Sequence, residues 1–217
     1  MACFITFEGV EGCGKTTQIR LLADALRESG RRVVLTREPG GCPIADKIRA
    51  ILLDAQNSEL TPLTELLLYA AARAQHINEV IRPALDSGAI VLCDRFTDAT
   101  LAYQGFGRKL DLNLINRLNE TATGNCRPDL TILIDCPVET GLKRALARIE
   151  AGSAADSSHL REERFERESV EFHRRVRNGY LTLAKESAGR FILIDGSKNV
   201  TEIAAGIFSA VSARIGS

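Results

Sequence analysis

Short runs of apolar, β-branched and aromatic residues recur along the chain at positions 3–8, 32–36, 89–93, 130–134 and 190–194. They are too short for helices and rich in side chains that suit a pleated surface, so five strands are predicted. Between them the apolar positions fall three and four apart, as at Leu21, Leu22, Ala25 and Leu26, or at Phe165, Phe172, Val176, Tyr180 and Leu183. That spacing marks amphipathic helices, and positions 63–85 read as one strongly apolar helix. Strands alternating with helices predict an α/β fold in which a parallel sheet is covered by helices. Positions 150–159 (EAGSAADSSH) break the pattern with small, polar residues, and are expected to form a mobile loop. No internal repeat of solenoid length appears.

Composition narrows the classes. At 217 residues, 45% hydrophobic and 26% charged, the chain fits one globular domain over 1–217 and excludes disordered or fibrous classes. Lys plus Arg total 28 and Asp plus Glu total 28, so no net field draws the protein to nucleic acid or anionic lipid. An anionic ligand must be bound locally. No apolar run approaches the ~20 residues that cross a bilayer, and the first twelve residues lack the basic start and apolar core of a secretory signal. A cytoplasmic protein without membrane contact is expected. Six cysteines lie scattered without C-x-x-C spacing, which argues for reduced thiols rather than a zinc site or disulfide framework.

The most specific signal follows the first strand. Gly9-Val10-Glu11-Gly12-Cys13-Gly14-Lys15-Thr16 fits G-x-x-x-x-G-K-[ST] between a strand and a helix. The glycines allow backbone N–H groups to converge on a β-phosphate at the positive end of the next helix. Lys15 would neutralise the transferring oxygens, and the Thr16 hydroxyl would ligate Mg²⁺. Glu11 places a negative charge beside phosphates, which suits a carboxylate that holds a water on the metal or meets a second substrate. Nucleoside triphosphate binding follows, but switches, motors and small-molecule kinases all use such a loop. No N-K-x-D tetrapeptide reads guanine, and no repeat or basic tract suggests a motor. A kinase requires an acceptor pocket.

Candidates for that pocket lie at strand ends, where open parallel sheets bind ligands. Asp94 and Arg95 close the third strand and Arg37 the second. Asp94 suits metal binding through water, and the planar guanidinium groups suit a monophosphate. Tyr69 and Arg73 lie four apart on one helix face, where a base can stack and a carbonyl find a donor. Asp98 is expected to cap the next helix, with Thr100 and Tyr103 three apart on it.

These residues resemble the bacterial thymidylate kinase family from Phe4 to about Asp195. The resemblance rests on Phe7-Glu8-Gly9-Val10-Glu11-Gly12 with Gly14-Lys15-Thr16-Thr17-Gln18, then Thr36-Arg37-Glu38-Pro39-Gly40-Gly41. It continues with YAAARAQ at 69–75, Asp94-Arg95-Phe96 and Ala102-Tyr103-Gln104-Gly105. It implies a P-loop NTPase-type five-stranded parallel sheet flanked by helices, with a mobile lid over about 148–164. The implied activity is transfer of the γ-phosphoryl of ATP to thymidine monophosphate, with Mg²⁺ and within a homodimer. By this resemblance residues 9–17 hold ATP, and Arg144 stacks on its adenine. Arg37 and Arg95 take the acceptor phosphate, Tyr69 stacks on thymine, and Arg73 donates to the base carbonyl. Thr100 and Gln104 edge the same pocket. Tyr103 crowds the place of a 2′-hydroxyl, and Glu11 organises the sugar or the magnesium shell. The chain departs from the family pattern at Ala99, where serine is frequent. It departs again at Gly12, where some members carry a catalytic arginine. The missing charge is then expected from the lid, where Arg144 and Arg148 precede the flexible stretch and Arg161 and Arg164 follow it, so that closure brings one or two of them, Arg148 and Arg161 foremost, onto the transferring phosphoryl.

Overall fold

The computed structural model describes residues 2–153 and 164–216. Its five strands are β1 (Cys3–Glu8), β2 (Val33–Arg37), β3 (Ile90–Asp94), β4 (Leu130–Asp135) and β5 (Phe191–Asp195). All pair in parallel in the order β2-β3-β1-β4-β5. The predicted strands lie within a residue of those observed. Every residue of the central β1 is buried, because helices cover both sheet faces. A polar residue inside such a strand needs a partner, and the Thr6 hydroxyl meets that of Thr131 on β4 at 2.9 Å.

The helices are α1 (Lys15–Glu28), α2 (Pro43–Leu53), α3 (Pro62–His76), α4 (Arg82–Asp86), α5 (Thr97–Thr100), α6 (Leu112–Thr123), α7 (Val138–Ser153), α8 (Val170–Glu186) and α9 (Val200–Ile215). The apolar stretch read as one helix is α3 and α4 joined by a π-helical turn at Ile77–Ile81. Pro83 has no N–H and crowds the carbonyl four residues back, and the ladder widens just before it, Arg82 N–H donating to Ile77 O. A second π-helical turn, Leu101–Gly107, follows α5 and carries Tyr103 and Gln104.

The main core joins β1, β3, β4 and β5 to α1, α8 and α9 through residues such as Ile5, Phe7, Leu92, Ile132, Phe172 and Ile207. Asp98 does not cap α5 as expected. It lies inside that helix, buried, and its two oxygens take Arg190 at 2.6 and 2.9 Å, while Thr131 donates at 3.3 Å. The pull of a cation at the start of β5 outweighs a local cap. All six cysteines are free thiols.

Strand order creates the site's crevice. β1 lies between β3 and β4, so the chain leaves it in opposite directions on its two sides, and a crevice opens at the carboxyl ends of β1 and β3. Register sets Asp94 level with both Phe7 and Arg37.

Candidate active site

The segment between β1 and α1 wraps tightly. Gly12 has φ +66, and a Cβ there would run into the carbonyl oxygen of Gly141 on α7. The position therefore admits no side chain in this loop, and an arginine is excluded with the rest. α1 begins at Gly14 with no side-chain cap and no acid in its first turn, so its positive end is uncompensated by protein. Val10 and Cys13 are buried beneath the loop, whereas Thr17 is exposed on α1. Lys15 is 7% exposed and its Nζ donates to the loop's own carbonyls, Gly9 O at 3.1 Å and Val10 O at 3.0 Å.

Arg95 is the hinge of the site. Its φ of +69 is unusual for a side-chain-bearing residue, and such backbone persists only where surrounding contacts fix it. Those contacts are present. Its N–H donates to Phe7 O at 3.0 Å, Nη1 to Gly9 O at 2.9 Å and to the Tyr180 hydroxyl at 3.1 Å, and Nη2 to Glu11 Oε1 at 3.0 Å. The guanidinium also lies 4.8 Å from the centre of the Tyr103 ring, over its face.

Glu11 is enclosed by donors. Oε1 accepts from Arg95 and from the Tyr103 hydroxyl at 2.5 Å, and Oε2 faces His173 Nδ1 at 3.2 Å, off the line of a well-formed hydrogen bond. Burial alone would raise this carboxyl. Arg95, then the His173 contact and Lys15, outweigh burial and bring it down to about 2. Glu8, at the end of β1, goes the other way. Burial and the charge of Asp98 push it up to about 8, although Phe96 N–H and the Tyr180 hydroxyl donate to it at 2.8 and 2.7 Å.

Arg37, at the end of β2 beside β3, is half exposed and pairs with Asp46 at 3.1 Å. Tyr69 is half-buried against the main core. Arg73 is 1% exposed, with four N–H groups directed into the protein: to Glu38 at 2.7 Å, Asn119 at 2.8 Å, Phe96 O at 3.1 Å and the Thr100 hydroxyl at 3.0 Å. These four bonds bolt α3 to the Phe96–Thr100 turn and leave one N–H of Arg73 without a bond among them. Gln104 is buried as well, donating to Glu65 at 2.7 Å. The crevice thus brings together Glu11, Lys15, Arg95 and Tyr103, with Arg37 and Tyr69 more open and Arg73, Thr100 and Gln104 behind them.

Of the lid residues, Arg148 is exposed and 3.8 Å from Glu166, and Arg144 is exposed on α7. Arg161 and most of the span 148–164 lie outside the described residues. Arg164 is buried, donates to Leu52 O at 2.5 Å and pairs with Glu65 at 2.6 Å. These contacts anchor the chain at Arg164 to the end of α2 and to α3. The Thr16 hydroxyl donates to Asp94 Oδ2 at 3.1 Å. Two hard oxygen donors suit a divalent cation that keeps its waters and shares the phosphates of a ligand. Among the described residues no group of three His, Cys, Asp or Glu forms a metal cage.

Sequence reasoning gave no role to Glu8 and Glu38, although both lie in quoted motifs, nor to Tyr180, read only as a helix position, and it passed over Glu65 and His173. Beyond those motifs, only their titratable or polar groups at buried positions of strand or helix patterns mark them.

A phosphate loop on the central strand, an uncapped helix end behind it and arginines at neighbouring strand ends define a phosphotransferase of the P-loop nucleoside monophosphate kinase class. Comparison with known proteins is more specific. The thymidylate kinase family profile matches residues 7–207. The chain is 65% identical over 215 residues to the thymidylate kinase of Geotalea daltonii, covering 99% of each chain. It is 63% identical over 215 residues to that of Geobacter sulfurreducens, again covering 99% of each. The crystal structure of thymidylate kinase from Ehrlichia chaffeensis superposes with a TM-score of 0.74 at 35% identity, covering 97% of this chain and 98% of that one. The chain belongs to the thymidylate kinase family.

Proposed function

We propose that this chain transfers the γ-phosphoryl group of ATP to thymidine monophosphate through the Arg95–Glu11 junction. The observation that carries the reading is that junction itself: the arginine at the end of β3 is hydrogen-bonded into the loop that would cradle ATP. Donor and acceptor sites then share one rigid unit, which is what in-line transfer needs. Lys15 and the N–H groups of residues 9–17 hold the ATP phosphates, with Lys15 Nζ turning from the loop carbonyls onto the oxygens. Arg95 and Arg37 take the acceptor phosphate. Thr16, and Asp94 through water, would hold Mg²⁺, which would supply positive charge to the ATP phosphates. Glu11 keeps Arg95 in place and would organise the sugar or the waters of that shell. No general base is required, because the acceptor is an ionised phosphate.

Tyr69 stacks on thymine, a contact worth ~1–3 kcal/mol. Arg73 offers its remaining N–H to the base, with Thr100 and Gln104 fixing the wall of the pocket. Tyr103, held by Glu11, crowds the sugar. A lid over about 148–164 closes on the site and supplies Arg148 or Arg161 to the transferring group, and Arg144 stacks on adenine. Ile44 and Ile51 of α2 and Leu63 and Leu67 of α3 are exposed on helices that pack together, which supports a homodimer through that face. No helix among the described residues is long and apolar enough to cross a membrane, which agrees with a cytoplasmic enzyme.

The test is ADP release from ATP and Mg²⁺ with thymidine, deoxyuridine, uridine, cytidine and adenosine monophosphates, thymidine itself, and no acceptor. Turnover led by thymidine monophosphate is expected, with deoxyuridine monophosphate second, because one methyl group is worth only ~1–3 kcal/mol of discrimination. Preference for another monophosphate would overturn the roles given to Tyr69, Arg73 and Tyr103. Nucleotide binding without acceptor-dependent turnover would favour a switch.

A further inference from the structure

The two faces of Glu11 are held by different parts of the chain. Oε1 belongs to Arg95 and Tyr103, from the end of β3 and the π-helical turn. Oε2 has one neighbour with a titratable nitrogen, His173 Nδ1 on α8, and each of these two atoms lacks a well-formed hydrogen bond elsewhere. His173 is fully buried, and its other nitrogen, Nε2, lies 3.0 Å from Phe165 O. A carbonyl only accepts, so the ring is turned with its Nε2–H toward Phe165 O and its Nδ1 edge toward Glu11 Oε2. The ring thereby joins the phosphate loop to the chain just beyond the lid. Phe165 is itself buried edge-on to Tyr103, 5.4 Å between ring centres, and the neighbouring Arg164 is tied to Glu65. The anchored base of the lid and the loop carboxylate are thus two ends of one contact chain.

We infer that His173 is a positioning residue of the phosphoryl transfer: through Nδ1 it sets the orientation of Glu11, and through Nε2 it ties that orientation to the lid's anchored base at Phe165. The other charged groups about Glu11 are Arg95, Lys15 and Glu166, the last with its carboxyl raised by burial and then by Glu11. Among the described residues, only His173 meets Oε2. A carboxylate fixed on one oxygen alone can pivot about the Arg95 contact, and misplacement of about 1 Å can cost ~10²-fold in rate. The effect belongs in kcat, since His173 touches neither nucleotide. The inference rests on the proposed role of Glu11.

Two isosteric variants separate the two ends of the ring. In His173→Asn the amide nitrogen takes the place of Nδ1 and keeps a donor toward Glu11. In His173→Gln it takes the place of Nε2 and keeps the donor to Phe165 O. With the full chain, ATP, Mg²⁺ and thymidine monophosphate, His173→Gln is expected to lower kcat by about 10- to 100-fold with both KM values within threefold. His173→Asn should stay within about threefold of the native kcat. In a Glu11→Gln background, His173→Gln should cause no further loss. Equal loss in both histidine variants, or a loss that adds to that of Glu11→Gln, overturns the inference. If His173→Gln shows no cooperative melt, the decision passes to ¹⁵N NMR of the ring in native protein and in Glu11→Gln. An Nδ1 resonance that moves between the two proteins while Nε2 stays in place supports the contact, and an unchanged Nδ1 resonance overturns it. Unchanged turnover in Glu11→Gln alone would instead remove the proposed role of Glu11, while the NMR comparison still decides the contact.

Discussion

Arg95 Nη2 lies 3.0 Å from Glu11 Oε1, so the residue after β3 and the middle of the phosphate loop are held as one piece. A left-handed backbone at Arg95 makes this reach possible, and the fork geometry of guanidinium lets it hold Gly9 O and the Tyr180 hydroxyl at the same time.

Arg95→Lys keeps the charge and loses the fork. Removing one preorganised donor of transition-state charge costs about 10²–10³ in rate, and a fall of that size in kcat/KM for thymidine monophosphate is expected. Steady-state kinetics with the monophosphate varied would check it, and a fall below threefold would contradict the assignment.

Glu8 gives the fold a pH dependence of definite sign. Its carboxyl is raised from 4.5 to about 8, so between those values the folded protein keeps a proton that the unfolded chain has released. Stability contributed by this group is therefore full below about pH 4.5 and declines as pH rises toward 8. Urea denaturation at pH 6 and pH 9 should show a larger decline for the native chain than for Glu8→Gln, which has no proton to lose.

Arg73→Met removes the cation from Glu38 Oε2, leaving the buried carboxylate with His76 Nδ1 at 3.1 Å on its other oxygen, and leaves the Asn119 carbonyl without its donor. Breaking one side of a buried pair costs about 3–5 kcal/mol. A lowered urea midpoint of corresponding size is expected, before any effect on the nucleotide is considered.

Gly12→Ala forces a Cβ against Gly141 O on left-handed backbone. Strain of roughly 1–3 kcal/mol should weaken ATP binding by about tenfold or more, since ~1.4 kcal/mol is one decade. Gly189→Ala, where a Cβ meets open space, should leave the affinity unchanged. Titration calorimetry with ATP would distinguish them.

Much of this protein was determined by its sequence alone. Five apolar runs became five parallel strands within a residue of their expected ends, because short runs of β-branched and apolar residues leave a local signature in the buried β1 and in the half-exposed edge strands β2 and β5 alike. The loop from Gly9 to Thr16 was equally legible, since its chemistry depends on backbone conformation and spacing within eight consecutive residues. Other features depended on tertiary structure. Asp98 has the local mark of a cap, yet Arg190, ninety-two residues away, takes its carboxylate. Arg73 has the spacing of an exposed helical pair, yet it is buried by Glu38, Asn119 and Phe96, which arrive from three other segments. Glu11 could be read as a charge in a phosphate loop, but its partners Arg95, Tyr103 and His173 come from the residue after β3, a π-helical turn and α8. A sequence displays spacing along one chain, whereas burial and charge pairing arise only when separate segments are packed together, and in this protein that packing orders the site.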